Sequence, residues 1–173
     1  MKHKIALLWS WFVSTFTWIL PDAPITMRFR GWLYGLAMKK RGKDFQVARG
    51  VILRGLENIS IGNHVYIACN AVILSSCEIN IEDEVMIAFN TVISDGNHTL
   101  HNGSYRFGKR TNSPIKIGYG TWIGANSTIV AGVNIGQACL IGANSVVTKN
   151  IEKNSFACGV PAKIINTITK DIE

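Results

Sequence analysis

The chain has 173 residues, 47% hydrophobic and 17% charged, which suits one domain with a short appendage and excludes a disordered or low-complexity protein. Eighteen Lys and Arg against eleven Asp and Glu give a net charge of +7, and the excess is unevenly placed. Residues 1–54 carry ten bases against Asp22 and Asp44, whereas residues 55–173 hold eight bases against nine acids; this argues against a nucleic-acid-binding body and fits an anionic membrane surface at the N-terminal end.

Ile5 to Leu20 (IALLWSWFVSTFTWIL) runs for sixteen residues without a charge and stops at Pro21. That is short of the roughly 20 residues needed to span a bilayer. No small-x-small cleavage site precedes Pro21, although Lys2 and Lys4 mimic the charged start of a secretory signal. Read as a helix, the segment lines up Ser10, Ser14 and Thr17 on one narrow stripe and spreads Trp9, Phe12, Phe16 and Ile19 elsewhere. Trp9, Trp11 and Trp18 are the residue type that settles at a water–lipid boundary. A second helix is predicted from near Pro24 to Arg41, ended by Gly42. Residues 1–44 therefore read as a helical, apolar and basic appendage. It either packs on the body and partner subunits or makes peripheral contact with an anionic membrane, and the two readings are compatible.

From residue 45 a different period takes over. Aliphatic residues return at every sixth position through Ile117, Ile123, Ile129, Ile135, Ile141 and Val147, and upstream through Ile61, Ile67, Ile73 and Ile79. A two-residue shift then gives Ile81, Ile87 and Ile93. The fourth residue after each is usually small or β-branched, as at Ala71, Cys77, Thr91, Ser127 and Cys139. A period of six suits neither a long helix nor a long strand, but it does suit a short strand plus a tight corner. Three such sides close a triangular coil of about eighteen residues, and stacking the coils puts the aliphatic residues in columns. The four cysteines make no metal-ligand spacing, and Cys77 and Cys139 read as buried small residues of a reducing compartment. Covers at the two ends are expected from the appendage and from the tail Lys149–Glu173.

The pattern breaks after Ile93, at Ser94-Asp95-Gly96-Asn97-His98, and resumes at Ile117. A solenoid that interrupts itself extrudes a loop, here near 99–116, and such loops carry binding and catalysis. His98 stands at that exit.

Residues 45–166, and above all SPIKIGYGTWIGANSTIVAGVNIG with GVPAKII further on, resemble the hexapeptide-repeat acyltransferases. Within that family they are most similar to the sugar O-acetyltransferases that modify maltose, galactosides and lipopolysaccharide. The resemblance implies an all-β solenoid, a left-handed parallel β-helix over 45–173, against the usual right-handed crossover. It implies acetyl-CoA as acyl donor, a saccharide acceptor, a homotrimer with sites between subunits, and no metal. It makes His98 the general base that takes a proton from a sugar hydroxyl. Asn90 and His101 match acceptor-side positions, and Asp95 either orients His98 or binds the acceptor. Trp122, Gly124, Ala125, Ala143, Thr148 and Lys163 match donor-side positions, with Lys149 as a further phosphate contact. Lys163 stands where an Arg is frequent, and Ala125 where Ser is frequent, so only its backbone N–H serves an oxyanion near Gly124-Ala125.

Rival readings are weighed by residues. A metal-dependent hydrase on this scaffold needs three His on facing coils, and His3, His64, His98 and His101 lack that spacing. A non-catalytic solenoid would keep an unbroken face. An amino-sugar N-acetyltransferase or a xenobiotic acetyltransferase remains open on the same fold. The sequence thus points to a cytoplasmic O-acetyltransferase, peripheral on the inner membrane face, acting on a bacterial surface glycan or its lipid-linked or nucleotide precursor.

Overall fold

Each aliphatic hexad residue turns inward onto a common axis, and a triangular prism follows. The computed structural model describes residues 2–169. The first face stacks Lys40–Arg41, Ile59–Ile61, Ile79–Ile81, Ile115–Ile117 and Asn134–Ile135 in parallel. The second stacks Gln46–Val47, Tyr66–Ile67, Met86–Ile87, Trp122–Ile123, Leu140–Ile141 and Ser155–Gly159, closed by antiparallel Ala162–Thr167. The third stacks Ile52–Arg54, Val72–Leu74, Val92–Ser94, Thr128–Ile129 and Val146–Val147. Ile67, Ile87, Ile123 and Ile141 make one interior column, and Ile73, Ile93, Ile129 and Val147 another, all without solvent contact. Burying each such side chain contributes roughly 1.5–3 kcal/mol before the ordering cost is set against it.

The coils differ in length. Ile117 pairs with Ile135, eighteen residues on, but Ile61 pairs with Ile81, twenty on. The extra residues sit at the corner between the third and first faces, and there Ile79 and Ile81 both point inward along one strand. That corner also corrects the reading of Cys77. It lies in the longer turn and is exposed, whereas Cys139 is buried in its slot.

Two helices, α1 (Lys2–Phe16) and α2 (Pro24–Gly35), lie across the N-terminal end. Alternate backbone groups of each strand point to opposite neighbours, so in the first coil half of them face off the prism and need partners. The helices supply these. Ser10 Oγ donates to Leu53 O, Arg30 Nη1 to Val47 O at 2.6 Å, and Tyr34 Oη to Val51 O at 3.2 Å. Burial raises the Tyr34 phenol well above its ordinary pKa, keeping it a donor. Ala6, Ser10 and Val13 form the buried stripe of α1, continued by Thr17 just past its end, and Trp9 Nε1 donates to Leu33 O at 2.8 Å to join the helices.

Arg30 is 2% exposed and also donates to Thr17 Oγ1 at 3.0 Å, Asp22 Oδ1 at 3.1 Å and the Thr17 and Leu20 carbonyls. Arg30→Met keeps the volume but strands these acceptors and should cost about 3–5 kcal/mol, read as a lower urea midpoint.

The second helix ends at Gly35 and not at Arg41. Lys39 N–H is given to Ile59 O at 3.1 Å, and Lys40–Arg41 pairs with Ser60–Ile61, so the edge of the first face captures this backbone. The solenoid's first strand thus lies ahead of Phe45. Gly42 serves coil stacking: a Cβ there would stand 2.3 Å from the Gly62 carbonyl. At the far end the hairpin Ser155–Gly159 with Ala162–Thr167 continues the second face, and the last four residues of the expected cover lie outside the described residues.

Candidate active site

After Val92–Ser94 the chain leaves the prism as Gly96–His98 and returns through Arg110–Asn112, with His98 opposite Arg110. The expected loop is therefore a β-hairpin, and the solenoid resumes at Ile115, beside Ile79. Gly108 permits the two arms to close, because a Cβ there would stand 1.5 Å from the Thr99 carbonyl oxygen. His98 is exposed on this ribbon. His101 sits further out at the tip, where it and Ser104 exchange backbone hydrogen bonds of 3.0 and 2.9 Å around Asn102 and Gly103.

Asp95, expected as an acceptor-binding or orienting residue, is 0% exposed. Its Oδ2 accepts from Ser75 Oγ at 3.0 Å, Cys77 N–H at 2.8 Å and Glu78 N–H at 3.2 Å, and its Oδ1 from Ser76 N–H at 2.8 Å. These bonds pin the root of the ribbon to the corner one coil below and leave the carboxylate no route to a sugar in solvent. The position had one sequence signal. Two residues after inward-facing Ile93, strand alternation returns a side chain to the inside.

The thiols of Cys69, Cys77 and Cys139 are all pushed up, chiefly by loss of solvent around the sulfur, which at the otherwise exposed Cys77 is partial and is joined by the Asp95 carboxylate. None is poised as a thiolate near neutral pH, so covalent catalysis by these cysteines has no support.

Asn90 lies at the other end of the same third-face strand, on the corner between the second and third faces. Its backbone is left-handed (φ 57°), as are Asn70 (62°), Asn126 (58°) and Asn144 (60°) in the same column. Turning this corner is thus one reason for the Asn. Its Nδ2 donates to Asn126 Oδ1 at 3.0 Å, and the residue is exposed.

Gly124 and Ala125 occupy that corner one coil on. The Gly124 N–H is spent on Ile141 O at 2.8 Å, whereas the Ala125 N–H has no acceptor among the described residues, and Ala143 repeats this. A Cβ on Gly124 would stand 2.6 Å from Ala143 N, so only Gly lets the coils meet here. The matching N–H of the first coil, that of Arg49, is capped by Asp22 Oδ1 at 2.8 Å. An oxygen anion therefore fits this column of outward N–H groups. Sequence reasoning missed Asp22 because it lies between the helices, far from the repeat.

Trp122 is half-exposed on the outer side of the second face, in register with Met86 and Leu140. Lys163 is exposed in the closing hairpin of that face, opposite Cys158. Thr148 and Lys149 are exposed at the corner between the third and first faces, the edge from which the His98 ribbon leaves. One chain thus holds two separate groups: His98, Thr148 and Lys149 on one edge, and Asn90, Ala125 and Ala143 on another, with Trp122 and Lys163 on the adjoining face. The width of the third face keeps them apart. Among the described residues, no three His, Cys, Asp or Glu side chains are grouped to hold a metal.

A triangular coil of hexads with an imidazole on an extruded ribbon defines a left-handed β-helix of the hexapeptide-repeat class. A family model described as the hexapeptide repeat of succinyl-transferase matches residues 114–149. The chain is 40% identical over 111 residues to galactoside O-acetyltransferase of Escherichia coli K12, covering 64% of this chain and 55% of that one. It superposes on a maltose O-acetyltransferase from Clostridium difficile 630 with TM-score 0.82 and 28% identity, covering 96% and 90% of the two chains. A galactoside acetyltransferase solved with coenzyme A gives TM-score 0.84 at 28% identity, covering 96% of this chain and 82% of that one. The chain is thus similar, in sequence over about two thirds of its length and in fold over nearly all of it, to hexapeptide-repeat acetyltransferases. It spans 55–58% of the length of the first curated relatives it matches.

Proposed function

We propose that the chain transfers an acetyl group from acetyl-CoA to a sugar hydroxyl of a bacterial surface polysaccharide, or of its lipid-linked or nucleotide precursor. The observation that carries this reading is the exposed imidazole of His98 on a ribbon anchored by a buried carboxylate, in a chain similar to galactoside and maltose O-acetyltransferases. His98 takes the hydroxyl proton as that oxygen bonds to the thioester carbonyl carbon. The carbon–sulfur bond then breaks, and the imidazolium returns its proton to the departing thiolate, so no covalent enzyme intermediate is needed. The Ala125 N–H donates to the tetrahedral oxyanion, a role that costs no reorganisation in a fixed corner. Lys149 and Lys163 supply charge for phosphates of the donor, and Asn90 and His101 supply hydrogen bonds for the acceptor.

Because His98 and Ala125 lie on different edges of one chain, the site is built between copies, with a homotrimer as the closed arrangement. The side chains facing outward support this. The second face presents mainly Tyr66, Met86, Trp122 and Leu140, and the third mainly Ile52, Val72, Val92 and Val146, with Gln46 at the start of the second and Arg54, Ser94 and Thr128 on the third. The first presents Ser60, Asn80, Lys116 and Asn134. The two apolar faces flank the Ala125 edge, where a neighbouring copy would cover them.

Incubation with acetyl-CoA and a panel of galactosides, maltose and lipid-linked glycan precursors, read by mass spectrometry, tests the reaction. An alkali-labile acetyl ester on a saccharide is expected. An acetyl amide, or no transfer to any saccharide, overturns the reading.

A further inference from the structure

The helical cover turns its small and polar side toward the solenoid and its large apolar side away. On α1 the buried stripe is Ala6, Ser10 and Val13, continued by Thr17 just past its end, while Trp11 is 65% exposed and Phe16 58%. Trp18 and Ile19, just beyond the helix, are 57% and 85% exposed. On α2 the exposed stripe is Ile25, Phe29, Trp32 and Leu36, spaced to share one face opposite the buried Arg30 and Tyr34. An apolar surface of this extent marks an interaction site and not ordinary solvent exposure.

We propose that this face is a peripheral docking surface for an anionic lipid bilayer. Charge selects the occupant: residues 1–54 carry ten bases against two acids, and although Arg30 is buried, Arg28 pairs with Asp44 and Lys39 with Glu78, the exposed bases still include Lys4, Lys40, Arg41, Lys43, Arg49 and Arg54. Exposed Lys4 stands on α1 itself, and Arg54 lines a cleft of about 490 Å³ together with Leu7, Leu8 and Trp11, placing a cation beside an apolar wall. Headgroup phosphates beside acyl chains have the complementary chemistry. Three exposed tryptophans, Trp11, Trp18 and Trp32, join an apolar ring to a polar N–H, which suits the headgroup level. No helix among the described residues is long and apolar enough to cross a membrane, so the contact lies in the interface plane. The cover lies across the end of the prism; its α1 side borders the third face, where Trp11, Trp18 and Ile19 line clefts with Ile52, and its α2 stripe lines neither cleft. Parallel copies would therefore present their covers on one side and bind with avidity. The docking itself rests on neither the trimer nor acetyl transfer.

Flotation of the full chain with vesicles of phosphatidylcholine alone, or mixed with phosphatidylglycerol, tests the proposal. Binding to the anionic vesicles is expected, lost in high salt and weak with the neutral ones. Trp11→Glu with Ile25→Glu should abolish it, and Lys4→Glu with Arg54→Glu should weaken it by at least about 30-fold. Circular dichroism checks that each variant keeps its fold. Sedimentation equilibrium reads the alternative occupant, a second copy. Absence of flotation, equal binding to neutral vesicles, or retained binding in the Trp11/Ile25 variant overturns the proposal. So does a loss of oligomer mass in the Trp11/Ile25 variant, which would assign the face to a second copy.

Discussion

If His98 is the general base proposed above, His98→Ala should lower kcat for acetyl transfer by about 10²–10⁴ while leaving thermal unfolding unchanged, because only proton transfer from a weak nucleophile is lost. The exposed ring makes no hydrogen bond among the described residues, so no packing is lost with it. The KM for acetyl-CoA should stay near the parent value. Steady-state rates with a sugar acceptor check this, and undiminished turnover would move the base elsewhere. The proposed division of the site between copies makes a sharper prediction. Ala125→Pro removes the outward N–H at a corner position just before left-handed Asn126, a setting in which turns accept proline. Each variant alone should be nearly inactive. Oligomers reassembled from the two together should regain activity, since some interfaces then unite an intact His98 with an intact Ala125 N–H. Failure of mixed oligomers to recover would mean that each copy works alone.

Asp95→Ala should lose stability and activity together. Removing the carboxylate strands the N–H groups of Ser76, Cys77 and Glu78 and the Ser75 hydroxyl, which costs on the order of 3 kcal/mol. It also frees the ribbon root three residues before His98. Asp95→Asn keeps one acceptor oxygen and should fall between the two. An acceptor-binding role would instead raise the KM for the sugar with unchanged stability, so urea midpoints measured beside the KM and kcat of both variants separate a positioning carboxylate from a binding one.

The repeat was legible because burial acts on each residue in turn. An aliphatic side chain every sixth position has nowhere to go except the axis of a triangular coil, so the column from Ile123 to Ile141 follows from spacing alone, whereas its continuation to Ile67 crosses the two-residue shift and the ribbon and is set by strand pairing. The break after Ile93 was legible for the same reason, and with it the placing of His98 at the exit. Less legible were features decided by backbone pairing. Lys39–Arg41 reads as the end of a basic helix, yet the edge of the first face offers carbonyls to Lys39 and Gly42, and sheet pairing prevails over local propensity. Gly124 and Ala125 look interchangeable as donors, and only the ladder shows that one N–H is spent and the other is not.

By itself, then, the sequence determined the solenoid, its interruption and the basic, aromatic character of its N-terminal cover, since each is a property of composition or period. Tertiary structure alone decided that Asp95 anchors a ribbon, that Asp22 caps Arg49, and that His98 and Asn90 stand on different edges of the prism. The reason is the same in the first two cases. Contacts between neighbouring coils or between helix and coil join residues about twenty or more apart, and no short-range pattern records which donor meets which acceptor.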